Sequence, residues 1–188
     1  MYARLDKWET AHIYAEKTIK QLPKSPYAYS LVVMALLGKN QTEDAILFLS
    51  NLDPFILMDN PHLYILLAEI QIESNATDGA DKTIEAFRSA YPDRIEIFEY
   101  LEAQKLLKNG DAAEAASRLE ILVQKAPRLQ TVRYALAIAY LRSGKKELAR
   151  NTLEVYMSIN PEDSRARIIW NTSFAKRSNI VESTTAQE

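Results

Sequence analysis

Apolar residues in this chain recur at spacings of three and four over about 14 residues, break at a short polar turn, and then resume the same rhythm. Near the C-terminal end Leu136, Ala137 and Tyr140 form one stripe. Leu148, Ala149, Thr152, Leu153 and Tyr156 form its mate across Ser143 to Lys145. Residues at i, i+3, i+4 and i+7 share one side of a 3.6-residue helix, so each pair of stripes predicts two antiparallel helices joined by a tight turn. Sustained β-type alternation is almost absent, and the expected fold class is all-α.

The pairs repeat. Ala11, Ala45, Ala80, Ala115 and Ala149 are separated by 34, 35, 35 and 34 residues, and each lies in a segment of helical periodicity. Pro23, Pro92, Pro127 and Pro161 each stand 12 residues after one of these alanines, and Gly110 and Gly144 stand 5 before theirs. A small side chain lets two helices approach closely. Glycine relaxes the turn between them, and proline ends the second helix and opens the next.

With these residues in view, the chain resembles the tetratricopeptide repeat family, whose unit is a 34-residue helix-turn-helix. Tyr140, Gly144, Ala149, Leu153, Tyr156 and Pro161 match its pattern well, and Leu106, Gly110, Ala115, Leu119, Leu122 and Pro127 match it one repeat earlier. Ala80, Ile84, Phe87 and Pro92 keep it, with Gln71 in place of the large apolar residue and Asn75 in place of the turn glycine. The repeat from Pro26 to Leu57 departs most. Its proline comes early, at Pro54, so its second helix is expected to be short, ending near Asp53. The resemblance implies an α-solenoid of stacked antiparallel helix pairs, a right-handed superhelix with a concave face for protein ligands.

The expected layout is one helical repeat domain over 1–177 with a polar tail over 178–188. Within it come a partial repeat over 1–25, full repeats over 26–60, 61–93, 94–128 and 129–162, and a terminal helix over 163–177. Counting back from Ala11 places Tyr2 in a first helix and Leu5 and Asp6 near its turn, as if the array continued upstream. At the other end Ser183 falls where the next alanine belongs. Trp170 and Phe174 are expected either to pack back on the 147–158 helix as a cap or to await a further repeat.

Composition narrows the function. The formal charge is −2, from 23 basic and 25 acidic residues, which argues against nucleic acid as a partner. The part up to Arg94 sums to −4 and the remainder to +2, a mild gradient or a scatter of surface charge. No apolar run approaches the roughly 20 residues that cross a bilayer, so no membrane insertion is expected. There is no cysteine, so no disulfide, and cytoplasm and periplasm both remain open as locations.

Candidate chemistry is sparse. His12 and His62 lie outside any HExxH arrangement, and the phosphate-cradling and nucleophile-elbow motifs are absent. The acidic pairs Glu43 with Asp44, Glu69 with Glu73, and Glu99 with Glu102 read as charged helix flanks. Asn40, Asn75 and Asn171 each begin a glycosylation-type triplet, a pattern too short to carry weight. Neither an enzyme nor a cofactor is expected.

Under the family resemblance, residues 18, 15, 11 and 7 before each repeat alanine line the inner face of the first helices. The candidate protein-binding residues are then Tyr27, Met34, Ile65, Glu69, Ile97, Tyr100, Gln104, Tyr134, Ile138, Arg142 and Arg165. Ser30, Gly38, His62, Glu73, Lys108, Thr131 and Ile168 share those positions. Tyr100 and Tyr134 are the expected anchors, with Arg142 and Arg165 as partners for a ligand carboxylate. Family members that hold a chaperone's C-terminal carboxylate use a lysine and asparagine pattern here. Met34, Glu69, Gln104 and Ile138 at the central positions speak against that use.

A second candidate surface is Phe55, Ile56, Leu57 and Met58, lying between two prolines, which either plug the shortened repeat or dock a partner. The function expected is a non-catalytic scaffold holding a peptide or partner helix. The alternatives are a self-assembling module, hence a homo-oligomer, or a periplasmic scaffold of a bacterial envelope or polysaccharide-export system.

Overall fold

Proline and asparagine or glycine punctuate this chain so regularly that its helices can be read off between them. The computed structural model describes residues 2–174, with side chains from residue 7 onward. The described residues form α1 Tyr2–Gln21, α2 Pro26–Gly38, α3 Thr42–Ser50, α4 Pro54–Asp59, α5 Pro61–Glu73 and α6 Thr77–Ala90. These are followed by α7 Ile95–Asn109, α8 Ala112–Lys125, α9 Gln130–Arg142, α10 Lys146–Ile159 and α11 Ser164–Ser173, with no strand among them. The fold is all-α, built of helical hairpins of the α-solenoid class. Two compact units divide between Asp111 and Ala112. Residues 175–177 of the expected terminal helix, Ser183 and the 178–188 tail lie outside the described residues, as do the side chains of Tyr2, Leu5 and Asp6.

Four helices end in the same way. Asn40, Asn75, Gly110 and Gly144, each five residues before a repeat alanine, have φ of 60°, 60°, 96° and 79°. That left-handed region is open to glycine and tolerated by asparagine, and it strains most other side chains. The next residue's N–H then reaches back along the helix just ended: Gln41 to the Leu36 carbonyl at 2.9 Å, Ala76 to Gln71 at 2.8 Å, Asp111 to Leu106 at 2.9 Å and Lys145 to Tyr140 at 2.8 Å. A shorter-range bond from each left-handed residue to the carbonyl three before it completes the helix-ending motif. The sequence marks Gly110, Gly144 and Asn75 as turn residues. Asn40 completes the set.

The first turn expected from the repeat does not form. Residues Leu5 and Asp6 stay inside α1, a single helix of 20 residues. Position 6 carries aspartate rather than glycine or asparagine, and the surrounding residues 2–9 favour helix, so nothing locally breaks it. Ala11 is accordingly only partly buried, and Ala15, one turn on, is the one fully enclosed. α1 pairs with α2. Trp8 lies against Gly38, where an added Cβ would come within 2.4 Å of the indole, and Lys39 Nζ meets Glu9 at 2.9 Å.

The other repeat alanines are enclosed: Ala45, Ala115 and Ala149 at 0% exposure and Ala80 at 1%. In the first unit Val32, Val33, Leu36, Ala45, Leu49 and Leu63 share one apolar core. Gln71 takes the place of a large apolar residue. It is buried against Gly79, and its Oε1 lacks a hydrogen-bond partner among the described residues. α3 is short, as expected, and α4 fills the remaining gap. Asp53 caps α4 by accepting from the Phe55 N–H at 2.9 Å, Leu57 enters the core, and the Tyr91 hydroxyl donates to the carbonyls of Leu57 (3.0 Å) and Met58.

In the second unit Ala137, Leu153, Tyr156 and Ala166 form a core against which Trp170 and Phe174 pack, their rings 5.2 Å apart. Arg150 lies over Trp170 at 5.7 Å, so these aromatics pack beside α10. Leu148, expected in the buried stripe of α10, is instead 46% exposed.

If the left-handed residues set the turns, Asn40→Gly and Asn75→Gly should each raise stability. Gly110→Ala and Gly144→Ala should each lower it by about 1–2 kcal/mol, read as urea midpoints at unchanged helix content.

Candidate functional site

The inner-face positions of the first unit come from α2, α5 and α7, and α5 packs on both of the others. Along the first two-thirds of these helices apolar side chains remain uncovered or half-covered. Tyr27 is 74% exposed and Met34 53% exposed, while Ile65 and Ile97 are half-buried. Such residues are left over once Tyr29, Val32 and Val33 of α2, or Leu63 and Leu67 of α5, have been turned to the core. His62 is exposed. Ser30 donates back to the Pro26 carbonyl at 3.2 Å, and Gly38 is covered by Trp8.

Midway along the same face runs a polar ladder. The Tyr100 hydroxyl donates to Glu69 Oε1 at 2.7 Å and accepts from Gln104 Nε2 at 2.8 Å. One turn further, Lys108 Nζ donates to the Glu73 carbonyl at 2.6 Å and lies 3.6 Å from its carboxylate. Inner-face positions of α5 and α7 are thus joined side chain to side chain. This corrects the expectation for Tyr100. At 5% exposure, with its hydroxyl committed on both sides, it holds two helices together and offers no contact area to a ligand.

In the second unit the equivalent positions are Thr131, Tyr134, Ile138 and Arg142 on α9, with Arg165 and Ile168 on α11. Thr131, Arg142 and Ile168 are exposed, and Ile138 is half-buried. Tyr134 sits half-buried between the Tyr156 ring at 5.3 Å and the Arg165 guanidinium at 5.0 Å. Arg165 in turn donates to both oxygens of Asp163, at 3.1 and 2.8 Å. Its charge is therefore partly answered from within its own helix end, while the side chain remains exposed.

Those contacts shift the titrating groups. The Arg165 guanidinium holds the Asp163 carboxyl well below the ordinary carboxylate range, and the Tyr156 hydroxyl, bonded at 2.6 Å, adds to this. Burial, and then the bond to Asp163, pushes Tyr156 up to about 12. Burial and the bond to Glu120 at 2.8 Å do the same to Tyr140, also to about 12. Tyr134 is raised by burial. Among the described residues no group of three or more His, Asp or Glu is placed to hold a metal ion, and no helix is long and apolar enough to cross a membrane.

The candidate segment of α4 divides. Leu57 is buried and Ile56 packs partly against the core, while Phe55 is 76% and Met58 54% exposed. Beside it in sequence, α3 carries a surface that the repeat pattern does not reveal. Asp44, Leu47, Phe48, Asn51 and Leu52 line an open hollow of about 360 Å³, and Leu47 is 59% exposed. Its signal lay in the sequence all along, since Ile46, Leu47, Phe48 and Leu49 are four consecutive apolar residues and a helix cannot turn all four inward.

Residues 106–168, running from the last turn of α7 into α11, match the family model described as Tetratricopeptide repeat. This part of the chain is similar to tetratricopeptide repeat sequence. A solved structure of kinesin light chain repeats from Podosopora anserina, described as nearly identical and TPR-like, aligns over 87% of this chain and 90% of its own, with 17% identity and a TM-score of 0.49. No curated protein matches the chain. Tetratricopeptide repeats generally mediate protein–protein interaction, and the family's proteins are typically non-catalytic. Within the matched range Gly144 makes the left-handed turn between α9 and α10, and Ala149 and Tyr156 of α10 are enclosed.

The Asp163 cluster gives a signed pH dependence. A depressed carboxyl contributes stability above the ordinary carboxylate range and loses it as pH falls toward the folded value. Asp163→Asn should therefore cost a constant amount from neutral pH to about pH 5, with the gap to wild type closing only on stronger acidification. Raised tyrosines behave oppositely, contributing below about pH 10 and failing as pH climbs through about 12. Tyrosinate absorbance should show a late fraction near pH 12 that Tyr140→Phe reduces, and a titration complete by about pH 11 would contradict it.

Proposed function

We propose that the protein is a non-catalytic scaffold that captures an extended peptide or a partner helix on the faces of its first helices. The observation that carries this reading is in the first unit. Tyr27 and Met34 stay uncovered, Ile65 and Ile97 stay half-covered, and the Glu69–Tyr100–Gln104 ladder holds the surface beside them in one geometry. A fixed polar floor next to exposed aromatic and thioether side chains supplies contact area at small entropic cost, with acceptors to orient a ligand. The α9 face of the second unit, with Tyr134, Ile138 and Arg142, offers a surface of similar composition.

The experiment starts from peptides selected on the protein from a displayed random library. Tyr27→Ser combined with Met34→Ser should weaken the selected peptides at least tenfold while circular dichroism stays that of the parent, because neither side chain is buried. Affinity unchanged by the double substitution removes this face from the account.

A further inference from the structure

No lysine or arginine lies between Lys39 and Lys82, yet the same stretch holds eight carboxylates. That stretch contains all of α3, α4 and α5. Four of the carboxylates, Glu43, Asp44, Asp53 and Asp59, are exposed and belong to α3, α4 and the residue before α4. Asp44 accepts from Gln41 Nε2 at 2.8 Å and Asp53 caps α4, neutral contacts that leave the negative charge in place. Arg94 reaches this neighbourhood, its charge felt with that of Asp59 at the Tyr91 hydroxyl.

Between these carboxylates the surface is apolar and shaped. Asp44, Leu47, Phe48, Asn51 and Leu52 follow the i, i+3, i+4, i+7, i+8 spacing of a helix ridge and line the 360 Å³ hollow. Phe55 and Met58 project from α4 a few residues on. The segment carrying them is anchored, since Leu57 is in the core and Tyr91 bonds the last carbonyls of α4. A helix ridge with grooves on either side is the surface against which another helix packs.

We propose that the α3–α4 face docks a basic amphipathic helix of a partner protein. An apolar side chain of that helix fills the hollow over Leu47, Phe48 and Leu52, and its lysines or arginines meet Glu43, Asp44, Asp53 and Asp59. Charge selects the occupant. A second copy joined face to face would oppose these four carboxylates to each other, and an anionic membrane would be repelled. The first-helix faces of α2 and α7 contribute none of these residues, so this site stands apart from the peptide surface proposed above.

The probe is a synthetic peptide of about 18 residues, long enough to form a helix, with leucines at i, i+3, i+4 and i+7 and lysines elsewhere. Its counterpart replaces every lysine by glutamate. The lysine peptide should bind the full chain saturably and weaken as salt rises, and the glutamate peptide should bind at least tenfold less well. Leu47→Ser and Phe55→Ser, both at exposed positions, should each cost the lysine peptide at least fivefold. Glu43→Lys with Asp44→Lys should reduce both affinity and salt dependence, whereas Tyr27→Ser with Met34→Ser should change neither. The proposal is overturned if the lysine peptide does not bind, if both peptides bind alike, if Leu47→Ser is without effect, or if concentration-dependent self-association proves to be what Leu47→Ser abolishes.

Discussion

Within each unit the room for paired helices to nest is limited by a single methyl group. Ala45 and Ala80 in the first unit and Ala149 in the second are enclosed to within 1% of their surface, and a left-handed residue stands five positions before each of them. The two features act together. The left-handed residue ends one helix at a defined point, and the alanine admits close approach by the next. A longer side chain at the alanine would hold the helices apart, and the apolar stripes on either side would lose contact along their length.

Once the helices are nested, each has a face that cannot be turned to the core, and the two candidate surfaces are made of what is left over. On α2 the core takes Tyr29, Val32 and Val33, and Tyr27 and Met34 remain outside. On α3 the core takes Ala45 and Leu49, and Leu47 remains outside. Polar side chains then decide how firmly such surfaces are held. Tyr100 bridges α5 to α7 through Glu69, and Asp163 gathers Tyr156, Arg165 and the start of α11 into one cluster.

Where structural information was local it could be read from the sequence. Alanine spacing and the turn residues Asn75, Gly110 and Gly144 locate the helix pairs, because the cause and its effect lie within a few residues. The start of the chain misled because the repeat's arithmetic places a turn at Asp6, while aspartate among helix formers gives the backbone no reason to break. The roles of Tyr100 and Arg165 were hidden for different reasons. Tyr100 meets Glu69, 31 residues away in sequence, and no periodicity specifies which hydroxyl finds which carboxylate. Arg165 meets Asp163 two residues before it, but only the capping geometry at the start of α11 brings them together. The α3 hollow is not legible in the repeat pattern, because alanine and proline spacing carry no information about the surplus of apolar residues over Ile46, Leu47, Phe48 and Leu49.

The most direct test of the nesting constraint is to enlarge the buried alanines and compare them with an exposed one. Ala80→Leu and Ala149→Leu should each lower the urea unfolding free energy by about 1–3 kcal/mol or more, while Ala86→Leu, exposed on the same helix as Ala80, should change it by less than about 0.5 kcal/mol. Unfolding curves for Ala80→Leu and Ala149→Leu that superimpose on those of the parent and of Ala86→Leu would contradict the account.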